Sequence, residues 1–186
     1  MILPIVAIGD PVLKKKAVDI TKDYPKFDEL LENMFETMYN ACGVGLAAPQ
    51  IGLPIRMFLV DTEPFSEDDD DFKRVFINAT ILKEEGEEWA FCEGCLSIPD
   101  VREDVFRKPK ITIEYYDENF KKHTEVFDGL IARVIQHEYD HIEGVLFTDL
   151  LSTLKKRLIK GRLGNISKGK IDVDYRMRFP NAKKKR

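Results

Sequence analysis

"QHEYDHIEGVLF" (136–147) contains His137, Glu138 and His141, and its reading decides what the rest of the chain must build. On an α-helix, side chains four apart stack on one face, about one turn along the axis. Both imidazoles therefore reach a single cation. Glu138 lies about 100° round the helix from His137, beside such a cation rather than on it, which is the place of a general base. Two histidines alone would read as a coincidental surface pair. The adjoining glutamate, in a chain with 3 histidines, turns the reading toward a metal site. A metal that does chemistry takes three protein ligands and keeps one position open. The familiar extension of the motif places a third histidine where Phe147 stands, so the third ligand must come from elsewhere.

Working outward, the helix with the pair spans about 129 to 142, with Asp128 as its N-cap. "HTEVFDG" (123–129) runs into it as a strand. β-branched and aromatic content also predicts strands over "IRMFLVDT" (55–62), "KRVFINATIL" (73–82), "EWAFCEGCLSI" (88–98) and "KITIEYYDE" (110–118). Phe27, Leu30, Leu31, Met34, Phe35, Met38, Tyr39 and Cys42 recur at three- and four-residue steps, so 25–42 is an amphipathic helix. Pro25 sits near its start and Gly43 follows its end. "LSTLKKRLIKGR" (151–162) is a second amphipathic segment. Ile171, Val173, Tyr175, Met177 and Phe179 alternate with charged residues, a terminal strand with one wet face. The predicted class is α+β: one domain of mostly antiparallel strands around a central HExxH helix, with an N-terminal helix and a C-terminal strand.

Composition bounds the function. With 186 residues, 44% of them apolar and 33% charged, the chain supports one good-sized core. A net charge of −4 excludes a generally basic, nucleic-acid-binding surface. "EDDDD" (67–71) reads as a solvated loop, and 180–186, ending in "KKKR", as a disordered basic tail. No apolar run approaches the ~18 residues of a membrane span. "ILPIVAI" (2–8) holds a proline and lacks a basic lead, unlike a signal peptide. Three cysteines, an odd number, argue for a reducing, cytoplasmic setting.

Beyond Glu143 the chain offers no glutamate as third ligand. Upstream, "FCEGCLSIP" (91–99) offers Cys92 and Cys95. Both cysteines with both histidines would close a structural zinc site; one thiolate would leave a position for water. In an extended chain, residues three apart point to opposite faces, so one cysteine faces the helix, unless Gly94 bends the strand. Periodicity alone does not say which. "GVGLAAPQIG" (43–52) fits the Gly-x-Gly-x-x-Ala dinucleotide fingerprint. That fingerprint needs a strand before it and a helix opening within it, whereas here a helix precedes it and Pro49 opposes one. Glycines that let a backbone approach an extended ligand, followed by the Gln50 amide, are the alternative.

Three stretches, "GVGLAAPQ" (43–50), "EGCLSIP" (93–99) and "QHEYDH" (136–141), occur in the order of the motifs of peptide deformylase, and "GDPVLKKKA" (9–17) resembles that family's N-terminal segment. The resemblance covers about residues 3 to 150. It implies a metal-dependent hydrolase of protein biosynthesis that removes the N-formyl group from the initiator methionine of nascent polypeptides and releases formate. It implies Cys95, His137 and His141 as metal ligands, one Fe2+ as the metal (Zn2+, Ni2+ or Co2+ can take its place), and Glu138 as the acid/base. Gln50 and the Leu96 N–H would form the oxyanion site. Val44, Gly45 and Gly94 would meet the substrate backbone, and Leu130 and Val134, with Val44, would line a methionine pocket. Arg133 beside them is unusual for an apolar pocket and is expected to point outward or cap its rim. The formyl-methionyl nascent peptide is the expected partner, with the ribosome near its exit tunnel as another; no membrane or specific DNA is expected. A metallopeptidase with the same ligands, or a closed zinc module using Cys92, are the rival readings.

Overall fold

The computed structural model describes residues 1–62 and 72–183. The acidic insert 65–72, apart from Phe72, and tail residues 184–186 lie outside them. In chain order the strands are β1 (Ile5–Val6), β2 (Gly45–Ala47), β3 (Met57–Asp61), β4 (Lys73–Glu85), β5 (Trp89–Cys95), β6 (Ile98–Arg107), β7 (Lys110–Tyr116), β8 (Lys122–Asp128) and β9 (Met177–Arg178). The helices are α1 (Phe27–Asn40), α2 (Gly129–Glu143) and α3 (Thr153–Ser167). Strands β2-β3-β4-β7-β8 form an antiparallel sheet in that order, β5 and β6 a separate hairpin, and β1 and β9 a parallel pair. The α+β class, the N-terminal helix and the C-terminal strand are all present.

Strand β3 explains how the sheet is layered. All five of its residues are buried. Phe58 and Val60 enter a core with Phe76, Ile111, Ile113 and the α2 residues Ala132, Ile135 and Ile142. Met57 and Leu59 enter a second core with Met34 and Met38 of α1. Helices thus cover both faces of the sheet, and a strand buried on both faces reads as a continuous apolar run. The buried face of α2 fixes its rotation about its axis. A third core, with Ile98, Val101 and Val105 of β6, Ile159 of α3, and Phe147 from the turn between α2 and α3, seats the hairpin.

Several elements differ from the sequence pattern for physical reasons. The single strand predicted over 88–98 is β5, a turn at Leu96 and Ser97, and the start of β6. The rest of β6 carries Pro99 and the charged run from Arg102 to Asp104, which hides its period-two burial; in a two-stranded hairpin proline sits on an edge and is tolerated. Helix α2 starts where predicted, but the Asp128 side chain makes no capping hydrogen bond. Instead Gly129, at φ +58, turns the chain out of β8 while its N–H donates to Pro109 O at 2.9 Å. Helix α3 runs on to Ser167, past Gly161 and Gly164. Burial does alternate over 171–179, yet only Met177 and Arg178 pair, opposite Ile5 and Val6. Their partner strand is short because Pro4 has no N–H before it and Gly9, at φ +98, turns the chain after it.

Candidate metal centre

Helix α2 supplies two donors. The His137 and His141 rings lie 5.2 Å apart between centroids and nearly perpendicular. Cys95, at the end of β5, brings its Sγ to 3.3 Å from His141 Nε2. This sulfur and one nitrogen from each imidazole all lie within 4.8 Å of one another. Ligand atoms held 2.0–2.3 Å from a common ion stand roughly 3.5 Å apart, so the cluster is of a size to share one. Thiolate with two imidazoles is the donor chemistry of a divalent first-row metal. Cys92 is exposed and paired opposite Asp104 across the hairpin. Among the described residues the cluster holds Cys95, not Cys92, and the closed four-ligand reading has no support.

Glu93, two residues before Cys95, anchors the arrangement from behind. Its Oε2 lies 2.9 Å from His137 Nδ1. A carboxylate there accepts the Nδ1–H and leaves Nε2 as the ligating nitrogen. Arg107 donates to both Glu93 oxygens, at 2.7 and 3.0 Å, and to Asp140 Oδ2 at 2.7 Å. Arg133 donates to Glu93 Oε1 at 3.0 Å, and to the Val105 and Trp89 carbonyls at 3.0 and 2.7 Å. The outward or rim position predicted for Arg133 is therefore corrected: the side chain is 3% exposed and its guanidinium stacks over Trp89 at 4.6 Å. Only a buried counter-charge and two carbonyls make such burial tolerable.

Burial alone would raise the Glu93 carboxyl, but the His137 hydrogen bond and the Arg107 guanidinium outweigh it and hold Glu93 well below the usual range. Glu138 is the opposite case: desolvation pushes it up to about 7, against the opposing pull of His137. It is buried, and its Oε2 has no hydrogen-bond partner among the described residues. A buried carboxylate normally finds one. Its freedom beside the cluster is what a proton carrier requires.

The glycine-rich stretch shapes the same space. A Cβ on Gly45 would stand 2.6 Å from Glu138 Oε1, and one on Gly43 would stand 2.8 Å from the Leu96 side chain. These glycines make room for protein side chains. The stretch forms β2, paired with β3, and then a 3₁₀ turn over Ala48–Ile51, so the strand–glycine–helix geometry of a dinucleotide site is absent. The turn fixes Gln50. Its Oε1 accepts from Ala47 N–H at 2.8 Å, which aims Nε2 at Cys95 Sγ (3.6 Å) and Ser97 Oγ (3.4 Å). Leu96 follows Cys95 in the turn. Phe147, which denied the histidine extension, is buried with its ring 6.1 Å from that of His137.

Of the remaining predicted residues, Val44 and Gly94 are half-buried at the edges of β2 and β5. Leu130, 56% exposed, and half-buried Val134 continue the helix face that leads to His137. His123 is remote from the metal cluster, 2.7 Å from Asp117. Sequence reasoning missed Arg107, Arg133 as a carboxylate partner, and Tyr175, whose hydroxyl donates to Leu96 O at 2.8 Å. Glu93 had a signal, since residues two apart on a strand share a face. Arg107 and Tyr175 had none, since neither falls within a motif, and Arg133, three residues before one, gave only a direction on the helix.

Comparison with known proteins agrees with this geometry. The family model described as polypeptide deformylase matches residues 2–157. The chain is similar to a peptide deformylase of Christiangramia forsetii, 69% identical over the whole of both chains. One of Cytophaga hutchinsonii is 58% identical, covering 98% of this chain and 100% of its own. Among solved structures, a peptide deformylase from Legionella pneumophila superposes with a TM-score of 0.81 at 35% identity, covering 91% of this chain and 98% of its own.

Proposed function

The chain belongs to the peptide deformylase family, and from that premise we propose how its residues divide the work of hydrolysing the N-formyl group of formyl-methionyl peptides. Cys95, His137 and His141 hold the metal. One ferrous ion, or zinc, nickel or cobalt in its place, would supply there a Lewis acid that makes a water more acidic. Glu138 takes a proton from that water as oxygen adds to the formyl carbon. As the carbon–nitrogen bond breaks, Glu138 returns the proton to the amine, and formate departs. A carboxyl lifted to about 7 by burial is matched to both transfers near neutrality. Gln50 Nε2 and the Leu96 N–H donate to the oxyanion, where one well-placed donor is worth ~3 kcal/mol.

In this reading Val44, Gly45 and Gly94 meet the substrate backbone as an added strand, and Leu130 and Val134, with Val44, wall the methionine pocket. A formyl carbon carries only hydrogen besides its oxygen and nitrogen, so a crowded site excludes ordinary peptide bonds.

The buried Glu138 Oε2, unpartnered beside three clustered donor atoms, is the observation that carries this reading. Anaerobically purified, iron-loaded protein is expected to release formate from formyl-Met-Ala-Ser. Cleavage of the unformylated peptide with none of its formylated twin would establish a metallopeptidase instead.

A further inference from the structure

The C-terminal segment lies outside the family motifs, yet it reaches the site. Residues 171–179 alternate between half-buried and exposed, and Tyr175 is one of the inward set. Its hydroxyl donates to Leu96 O at 2.8 Å. From the opposite end of the chain, Ile8 N–H donates to Ser97 O at 2.9 Å. Leu96 and Ser97 make up the entire turn between the paired residues Cys95 and Ile98. The two terminal segments also hold each other, through Ile5 opposite Met177, Val6 opposite Arg178, and an Arg178–Asp10 ion pair at 3.1 Å.

The central peptide of a four-residue turn is its weak point. Related turn types differ by a rotation of that peptide, which swings its carbonyl from one side of the turn to the other. Here the carbonyl concerned is Leu96 O, the one Tyr175 holds. The turn carries the Cys95 thiol at one end, the Leu96 N–H within it, and Ser97 Oγ at 3.4 Å from Gln50 Nε2.

We infer that Tyr175 is a positioning residue: its hydroxyl locks the Leu96–Ser97 peptide, and through it sets the directions of Cys95 Sγ and the Leu96 N–H. The partially buried ring keeps the bond out of competition with water. A tail that merely covered the core would need an apolar ring there and no hydroxyl.

The test is Tyr175→Phe, which removes one oxygen and keeps the ring. The kinetic arm rests on the deformylase reading; the spectroscopic arm does not. With formyl-Met-Ala-Ser, kcat is expected to fall roughly fivefold, what one ordinary hydrogen bond contributes, with KM within about twofold. In the cobalt-substituted protein, the thiolate-to-metal absorption band is expected to shift or broaden at full metal content. Arg178→Gln, which loosens the same segment and leaves the hydroxyl in place, controls for general slackening and is expected to keep the wild-type spectrum and kcat. An unchanged band and kcat in Tyr175→Phe, or an equal change in Arg178→Gln, would overturn the proposal. If the wild type itself released no formate, the deformylase reading would fall, and the cobalt spectra would still decide the role of Tyr175.

Discussion

Glu138 carries a fully buried carboxylate oxygen with no hydrogen-bond partner among the described residues. Glu93 and Asp140 are both tied to Arg107, which fits them to hold other groups still. A proton carrier has to remain free, and its placement depends on what is missing next to it. At Gly45 the missing atom is a Cβ, which would meet Glu138 Oε1 at 2.6 Å and its Cδ at 2.8 Å. Gly45→Ala is therefore expected to displace Glu138, keep the metal, and lower kcat about 100-fold, the scale of an ångström misplacement. Metal analysis beside steady-state kinetics checks both halves. Glu138→Ala is expected to keep the metal and lose about 10³-fold or more in turnover, within the span of acid–base catalysis. Cys95→Ser is expected to lose metal and activity together. Cys92→Ser, at an exposed position on the far face of β5, should change neither, and equal metal loss in both serine variants would return the closed four-ligand site to consideration.

At the scale of elements, the site is a helix facing a hairpin tip, with one carboxylate joining them. Glu93 of β5 accepts from Arg107 of β6 and from Arg133 and His137 of α2. Removing its charge leaves the buried Arg133 guanidinium without its counter-ion and Arg107 with Asp140 alone, so Glu93→Gln is expected to lower stability by about 3 kcal/mol near neutral pH. The folded-state carboxyl lies below its unfolded value. Its contribution is thus complete above the ordinary carboxylate range near 4.3 and is lost as pH falls from there toward the folded value. The difference in Tm between wild type and Glu93→Gln should stay level from about pH 7 to 5 and narrow below about pH 4. A gap that widened in acid would contradict this. Elements with strong periodicity were legible: α1, β3 and α2 lie within two residues of their predicted bounds. Cys95, His137 and His141 were legible through motifs that carry the donor residues themselves. Strand β6 was hidden because its outward residues are charged and its inward ones include Pro99. Arg133 was misread because a helical position gives only a direction, while the Glu93 charge and two carbonyls that receive it come from the separate hairpin.

At the scale of the whole molecule, the donors come from two bodies: α2 with the sheet it packs on, and the hairpin seated on the third core. A bound metal joins them, and a ligand that binds only the folded state stabilises it by mass action. Free metal at about 100 times its dissociation constant contributes about 2.7 kcal/mol, which for a chain of this size is a Tm shift of roughly 5–10 °C. Chelation followed by calorimetry should show a loss of that order, with readdition of Co2+ or Zn2+ restoring it; an unchanged Tm would mean that the three donors do not share an ion.

The parallel pairing of Ile5–Val6 with Met177–Arg178 also has a consequence in time. During synthesis the first of these segments emerges long before the second. The sheet, α2 and the hairpin all have their residues before then, so the histidines and the thiol can be brought together while the Leu96–Ser97 turn still lacks Tyr175. The closing contact joins residues 5 and 6 to 177 and 178, and contacts so far apart in sequence form slowly. Refolding followed by both helix signal and formate release is expected to show catalytic competence lagging behind secondary structure, with the seating of residues 171–179 as the step that completes the site.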